Sequence, residues 1–138
     1  MNLSALVTDN ITEILTRIVK FTQTRHKILI QNIIHIRDPE FVPKELEVDE
    51  FSILLSRAVD EHVRNQRLVL HDTENIKFDT EGRLNIRPIV DELSKKLFKE
   101  NREEYLERQM TKLWENSLNQ KLAAELLKQK EGKIPLNW

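Results

Sequence analysis

Residues 25–41, RHKILIQNIIHIRDPEF, carry an apolar stripe at helical spacing (Ile28, Leu29, Ile33, Ile36) that runs into Asp38-Pro39 and then the aromatic Phe41. Proline has no N–H to give a helix and disfavours helical geometry in the residue before it. The spacing therefore predicts a helix ending near Ile36 or Arg37. Upstream, Ile11, Ile14, Ile18 and Phe21 extend the same stripe. Asn10, with Glu13 three residues on, fits a reciprocal cap and places the helix start near Thr8–Asn10. Arg25 and Asn32 fall on heptad-like positions, where polar residues weaken a seam but set its register.

A second strong helical pattern lies at the far end, ERQMTKLWENSLNQKLAAELLK at 107–128. Leu106, Met110, Leu113, Ser117, Gln120, Ala124 and Leu127 alternate at four and three residues. Trp114, Leu118, Leu122 and Leu126 form a stripe beside them. Together they are wider than one partner helix needs, so this helix is expected to pack on more than one neighbour. Two amphipathic ends suggest that they pair with each other and with further copies, with the middle as an insert. Apolar surface on these ends then exceeds what one copy can hide.

Between them, residues 38–47 read as an extended loop anchored by Phe41 or Val42. A helix follows from Val48 or Asp49 to about Asn65, with Phe51, Leu54, Leu55, Ala58 and Val59 as its apolar face. Ile76 and Phe78, a turn at Glu81-Gly82, then Leu84 and Ile86 give a β-hairpin signal. Pro88 suits the first turn of a new helix. The pattern leaves open whether 88–130 is one helix or two with a joint near Lys99–Arg102.

The chain has 138 residues, of which 33% are charged and 39% hydrophobic, with two Gly and four Pro. So few turn formers favour long helices and exclude most phosphate-cradling loops. The net charge of −1 provides no global attraction to nucleic acid or membrane. Residues 11–37 are nonetheless basic and 40–61 acidic, opposed patches that suit subunit docking, although solvated helix faces would look the same. Cysteine is absent, which removes disulfides and thiol catalysis. No window nears the about 18 apolar residues of a membrane span. The N-terminal residues lack the basic and continuous apolar regions of a cleaved signal.

No constellation for chemistry stands out. His26, His35, His62 and His71 are never three or four residues apart, so no helical metal pair forms. The adjacent acids Asp49-Glu50, Asp60-Glu61 and Glu103-Glu104 would point about 100° apart on a helix. No hydrolase elbow, Walker loop or dinucleotide fingerprint is present. No cofactor, metal or nucleic acid is expected, and the chain does not read as an enzyme. Trp114 suits either a core or an interface, and Trp138 is a weaker interface candidate.

The run Asn32-Ile33, Pro39, Phe41, Lys44-Glu45-Leu46-Glu47-Val48 resembles the N-terminal signature of bacterial flagellar basal-body rod proteins of the proximal-rod B type. Leu106-Glu107-Arg108, Met110, Lys112-Leu113, Glu115-Asn116-Ser117-Leu118 and Leu126-Leu127 look like that family's terminal helix. The chain departs from the pattern at His35 (usually Asn), Asp38 (often Thr) and Glu40 (Gly before the aromatic).

The resemblance implies a mainly α subunit whose long terminal helices pair in a coiled-coil-like stalk around a small hairpin-containing insert. Its segments would be 1–37 and 101–138 for assembly and 38–100 for the middle. It further implies export through the flagellar type III apparatus without a cleaved signal, and helical polymerisation with itself and other rod and basal-body proteins in the periplasmic, torque-carrying rod. The expected interface residues are Ile11, Ile14, Ile18, Phe21, Ile28, Asn32, Ile33, Pro39, Phe41, Met110, Leu113, Trp114, Leu118, Leu126 and Leu127. A cytosolic helical adaptor or export chaperone, which binds a partner without polymerising, is the competing expectation.

Overall fold

The computed structural model describes residues 3–79 and 83–130, with burial resolved from residue 10 onward. The chain is mainly helical, with two small antiparallel sheets. The elements run α1 (Leu3–Ile34), β1 (Lys44–Glu45), α2 (Val48–Asn65), β2 (Ile76–Phe78), β3 (Leu84–Ile86), β4 (Ile89–Val90), α3 (Glu92–Glu100) and α4 (Arg102–Lys130).

The first helix starts earlier and ends sooner than expected. Asn10 is no cap: it lies inside α1 and its Nδ2 donates to the carbonyl of Gln66 at 3.2 Å. Glu13 pairs instead with Arg17, one turn on. At the other end, Asp38 accepts the N–H of Glu40 at 3.0 Å, closing a side-chain-to-backbone turn. Gln66, the left-handed residue ending α2, is the single described non-glycine with positive φ. Glu40 therefore needs no glycine: the Asp38 turn brings the chain round without one.

Residues 38–47 are not all loop. Lys44 and Glu45 pair with Val90 and Ile89 in a two-residue ladder. This ladder also overturns the role expected of Pro88, which precedes strand β4 rather than opening a helix. The helix waits for Asp91, whose carboxylate accepts the N–H of Ser94 as an N-cap. Asn101 then breaks helicity in extended geometry and caps α4 by accepting the N–H of Glu104 at 3.1 Å, so the 88–130 region holds two helices. The hairpin forms as expected, with Ile76 opposite Ile86 and Phe78 opposite Leu84; its expected turn at Glu81-Gly82 lies outside the described residues.

The main apolar core joins Phe21, Leu46, Phe51, Leu54 and Ile76, ringed by partly buried Ile18, Ile28, Val48, Leu55, Leu70, Phe78, Leu84 and Ile86. It sits between α1, α2 and the hairpin. At its centre the rings of Phe21 and Phe51 stack with centroids 3.9 Å apart. Val59, expected on the apolar face of α2, is exposed, because Phe51, Leu54 and Ala58 take the inward line. A smaller aromatic group sets Phe41 against His35 on one side and Phe98 on the other, with Tyr105 edge-on to Phe98. Phe41 is thus the loop anchor, and Val42 faces solvent.

Truncating Phe51 to Ala removes one half of the stacked pair. Loss of a buried aromatic costs about 3–5 kcal/mol. Urea unfolding of F51A should show a midpoint lowered accordingly, with the denaturant slope little changed.

Candidate functional site

The most extensive contact between any two elements is that of α1 with α4. The helices run antiparallel, since Asn32 meets Gln109 while the carbonyl of Thr22 meets Asn116. This contact is polar at its heart. Asn32 is almost fully buried; its Nδ2 donates to the Lys44 carbonyl at 2.8 Å and to Gln109 Oε1 at 2.9 Å, and its Oδ1 accepts the Lys44 N–H at 3.2 Å. One side chain thereby acts as a strand partner for β1 and as a tie to α4. The Tyr105 hydroxyl donates to the Asn32 carbonyl at 2.7 Å. Burial, with Asp91 nearby, raises the Tyr105 pKa to about 12 against the opposing charge of Arg102, so the hydroxyl keeps the proton it donates.

A charged chain continues from this point. Arg25 of α1 grips Glu45 of β1 through two bonds, at 3.1 and 2.9 Å. Lys112 of α4 reaches Glu45 at 3.0 Å and Asp91 at 3.4 Å. Asp91 accepts from Ser94 Oγ, which in turn accepts from Gln109 at 2.8 Å and from Arg108 at 3.0 Å. Burial alone would raise the Glu45 pKa. The Arg25 hydrogen bonds and charge, then Lys112 and the Leu46 N–H, outweigh it and hold the carboxyl below its ordinary range. Asp91 behaves likewise: burial is outweighed by its bonds to Ser94 and the charges of Lys112 and Arg108.

The expected seam of α4 is displaced by one residue. The buried line is Tyr105, Gln109, Asn116 and Ala123, with Lys112 half-buried between them, rather than Leu106, Met110, Leu113, Ser117, Gln120, Ala124 and Leu127. One residue is a rotation of about 100°. The physical reason is that α1 and β1 offer α4 hydrogen-bonding groups and charges here, which an apolar seam would leave unsatisfied. Other apolar residues of α4 fall off that line: Met110, Trp114, Leu118, Leu122 and Leu126 are all exposed, Trp114 at 66%, with Leu122 and Leu126 edging a cleft beside Phe21 and Phe51.

The other expected interface residues divide. On α1, Ile14, Phe21 and Asn32 are buried, and Ile11, Ile18, Ile28 and Ile33 partly so, all within this one chain. Phe41, Leu113 and Leu127 are half-buried, and Pro39 is exposed. Part of the opposed charge also resolves internally, in the Arg25–Glu45 pair. Trp138 lies outside the described residues.

Arg25 and Asn32 were legible as polar intrusions in an apolar stripe. Glu45 and Lys112 stood in the stretches that carry the resemblance, with no internal role read for them; for Asp91, Ser94, Tyr105 and Gln109 the one signal available was the Asp-x-x-Ser spacing of a helix cap at 91–94.

No group of three or more His, Asp or Glu among the described residues is placed to hold a metal, and no described helix is long and apolar enough to cross a membrane. A cavity of about 770 Å³ is an open groove between α3 and α4 lined by Leu93, Leu97, Glu103, Glu104 and Glu107 among others. The four histidines stay apart: His35 lies on Phe41, His62 beside Asn10, His71 at the mouth of a small cleft near α2, and His26 is half-buried on α1. The chain matches no protein-family model, no curated protein and no solved structure.

Because Glu45 and Asp91 have folded-state pKa values below their unfolded ones, their stabilisation is complete above the ordinary carboxylate range and is lost as pH falls from that range through the lower folded-state values. Unfolding followed in urea from about pH 6 to about pH 3 should show the midpoint dropping, and Glu45→Gln should flatten that slope. At neutral pH, Glu45→Ala leaves Arg25 and Lys112 without their shared carboxylate and should cost about 3–5 kcal/mol.

Proposed function

We propose that this chain is a structural subunit of the bacterial flagellar rod, of the proximal type, which polymerises through its terminal helices in a coiled-coil-like inner layer. The carrying observation is that the first and last helices lie along one another while α4 keeps an apolar row turned outward. Exposed apolar side chains such as Met110, Trp114 and Leu118 on neighbouring turns support an interaction face. The two stretches that carry the family resemblance also support the reading, because they meet in space. Asn32 bonds to Gln109, and Glu45 to Lys112, although more than 60 residues separate these partners. A rod subunit needs its two ends registered against each other before either can present a face to a neighbour. The buried Asn32, which binds both strand and helix, supplies such a register.

In this reading the 38–100 segment is the insert that braces α1, and the apolar row of α4 is the part that neighbours cover. Each subunit contact would bury on the order of 800 Å² per partner, much of its gross gain being offset by lost freedom. Growth would therefore need several contacts per subunit. Partners would be further copies, other rod and basal-body proteins and the type III export apparatus, with no cofactor.

Fractionation of cells carrying a tagged chain provides the test. The tagged chain should copurify with basal bodies, and removal of residues 1–10 should abolish its export or assembly. Retention in the cytosol on a single partner, unaffected by that deletion, would identify an adaptor instead.

A further inference from the structure

The outward row of α4 holds a smaller pattern that assigns it a partner. Met110, Trp114 and Leu118 are exposed and lie within about 40° of the Trp114 direction on the helix. Glu107 and Lys121 stand seven residues to either side of Trp114. Each is therefore within about 20° of the same direction and about 10 Å along the axis. Both are exposed, and neither forms an ion pair among the described residues. The face is thus a three-residue apolar patch with a free acid at one end and a free base at the other.

We infer that this face docks on the same face of a second copy, antiparallel, about a two-fold axis at Trp114. The charges decide the orientation. A parallel pairing would set Glu107 against Glu107 and Lys121 against Lys121. The antiparallel one sets Glu107 of each copy against Lys121 of the other, twice, and brings Met110 opposite Leu118. Such a contact is isologous, the same patch serving both partners. One turn further out, the register opposes the exposed Glu103 to the half-buried Glu125; the usual helix crossing of about 20° carries these carboxylates apart. An exposed Trp at the centre of a patch is the residue type that concentrates interface energy.

The contact is small. A single helix pair of this length falls short of the about 800 Å² per partner of a standard stable interface. The pair is therefore weak and concentration-dependent. It is also closed: a two-fold interface uses up the patch and cannot propagate. It would be a form of the free subunit that hides the apolar face outside an assembly. It does not rest on the rod proposal, since any chain carrying this face would form it.

Sedimentation of the full chain from about 10 µM to about 1 mM provides the test. The average mass should rise from that of one chain to that of two and level off there. Trp114→Ser and Leu118→Lys, both at exposed positions, should keep the chain monomeric with an unchanged far-ultraviolet spectrum. Glu107→Lys should weaken pairing about tenfold at low salt, and adding Lys121→Glu should restore it. A mass that stays at one chain throughout would overturn the proposal, as would a mass that climbs past two. A charge-swapped double variant no better than the single one, or pairing untouched by Trp114→Ser, would do the same.

Discussion

Asn32 and Glu45 organise this molecule from inside a seam where apolar packing would ordinarily suffice. Asn32 satisfies both main-chain groups of Lys44 and still reaches Gln109 across the helix pair. Glu45, one residue on, gathers Arg25 and Lys112 from opposite helices. Asn32, Gln109, Arg25 and Glu45 are buried, so each is costly if unpaired. The price of a slipped register is then several orphaned polar groups at once. A seam of interchangeable leucines would impose no such penalty, because a shifted leucine still finds apolar neighbours.

Cohesion and register are accordingly held in different places. The Phe21–Phe51 stack, Leu46, Leu54 and Ile76 supply apolar burial. The polar seam, carried by Arg25 and Asn32 further along the same stripe of α1, aligns α1, β1, α3 and α4. With the inward line of α4 given to Tyr105, Gln109, Asn116 and Ala123, Met110, Trp114 and Leu118 are left exposed and Leu106, Leu113 and Leu127 only half-buried. The outward apolar row is thus a consequence of the polar seam. A face that a partner can cover and a precise internal fit come from one rotation of one helix.

Much of the local structure was legible from the residues. The bounds of α2 and the pairing of Ile76–Phe78 with Leu84–Ile86 follow from short-range patterns, apolar spacing and strand alternation, whereas the pattern left the break at Asn101 open. The stop after Ile34 was legible from Pro39 to within two or three residues. What failed did so where a distant partner intervened. Asn10 looks like a cap until Gln66 supplies it a carbonyl. Pro88 looks like a helix start until the Lys44–Glu45 edge claims Ile89 and Val90. The α4 seam looks apolar until β1 and α1 present charges to it.

The residues by themselves determined a mainly helical chain with amphipathic ends, because helical periodicity and proline geometry act over a few neighbours. Which face of α4 turns inward was decided only by the tertiary structure. Hydrophobicity along a helix says which residues prefer burial; it cannot say that a buried acid 67 residues away in sequence will bind Lys112 and draw the opposite side of the helix in.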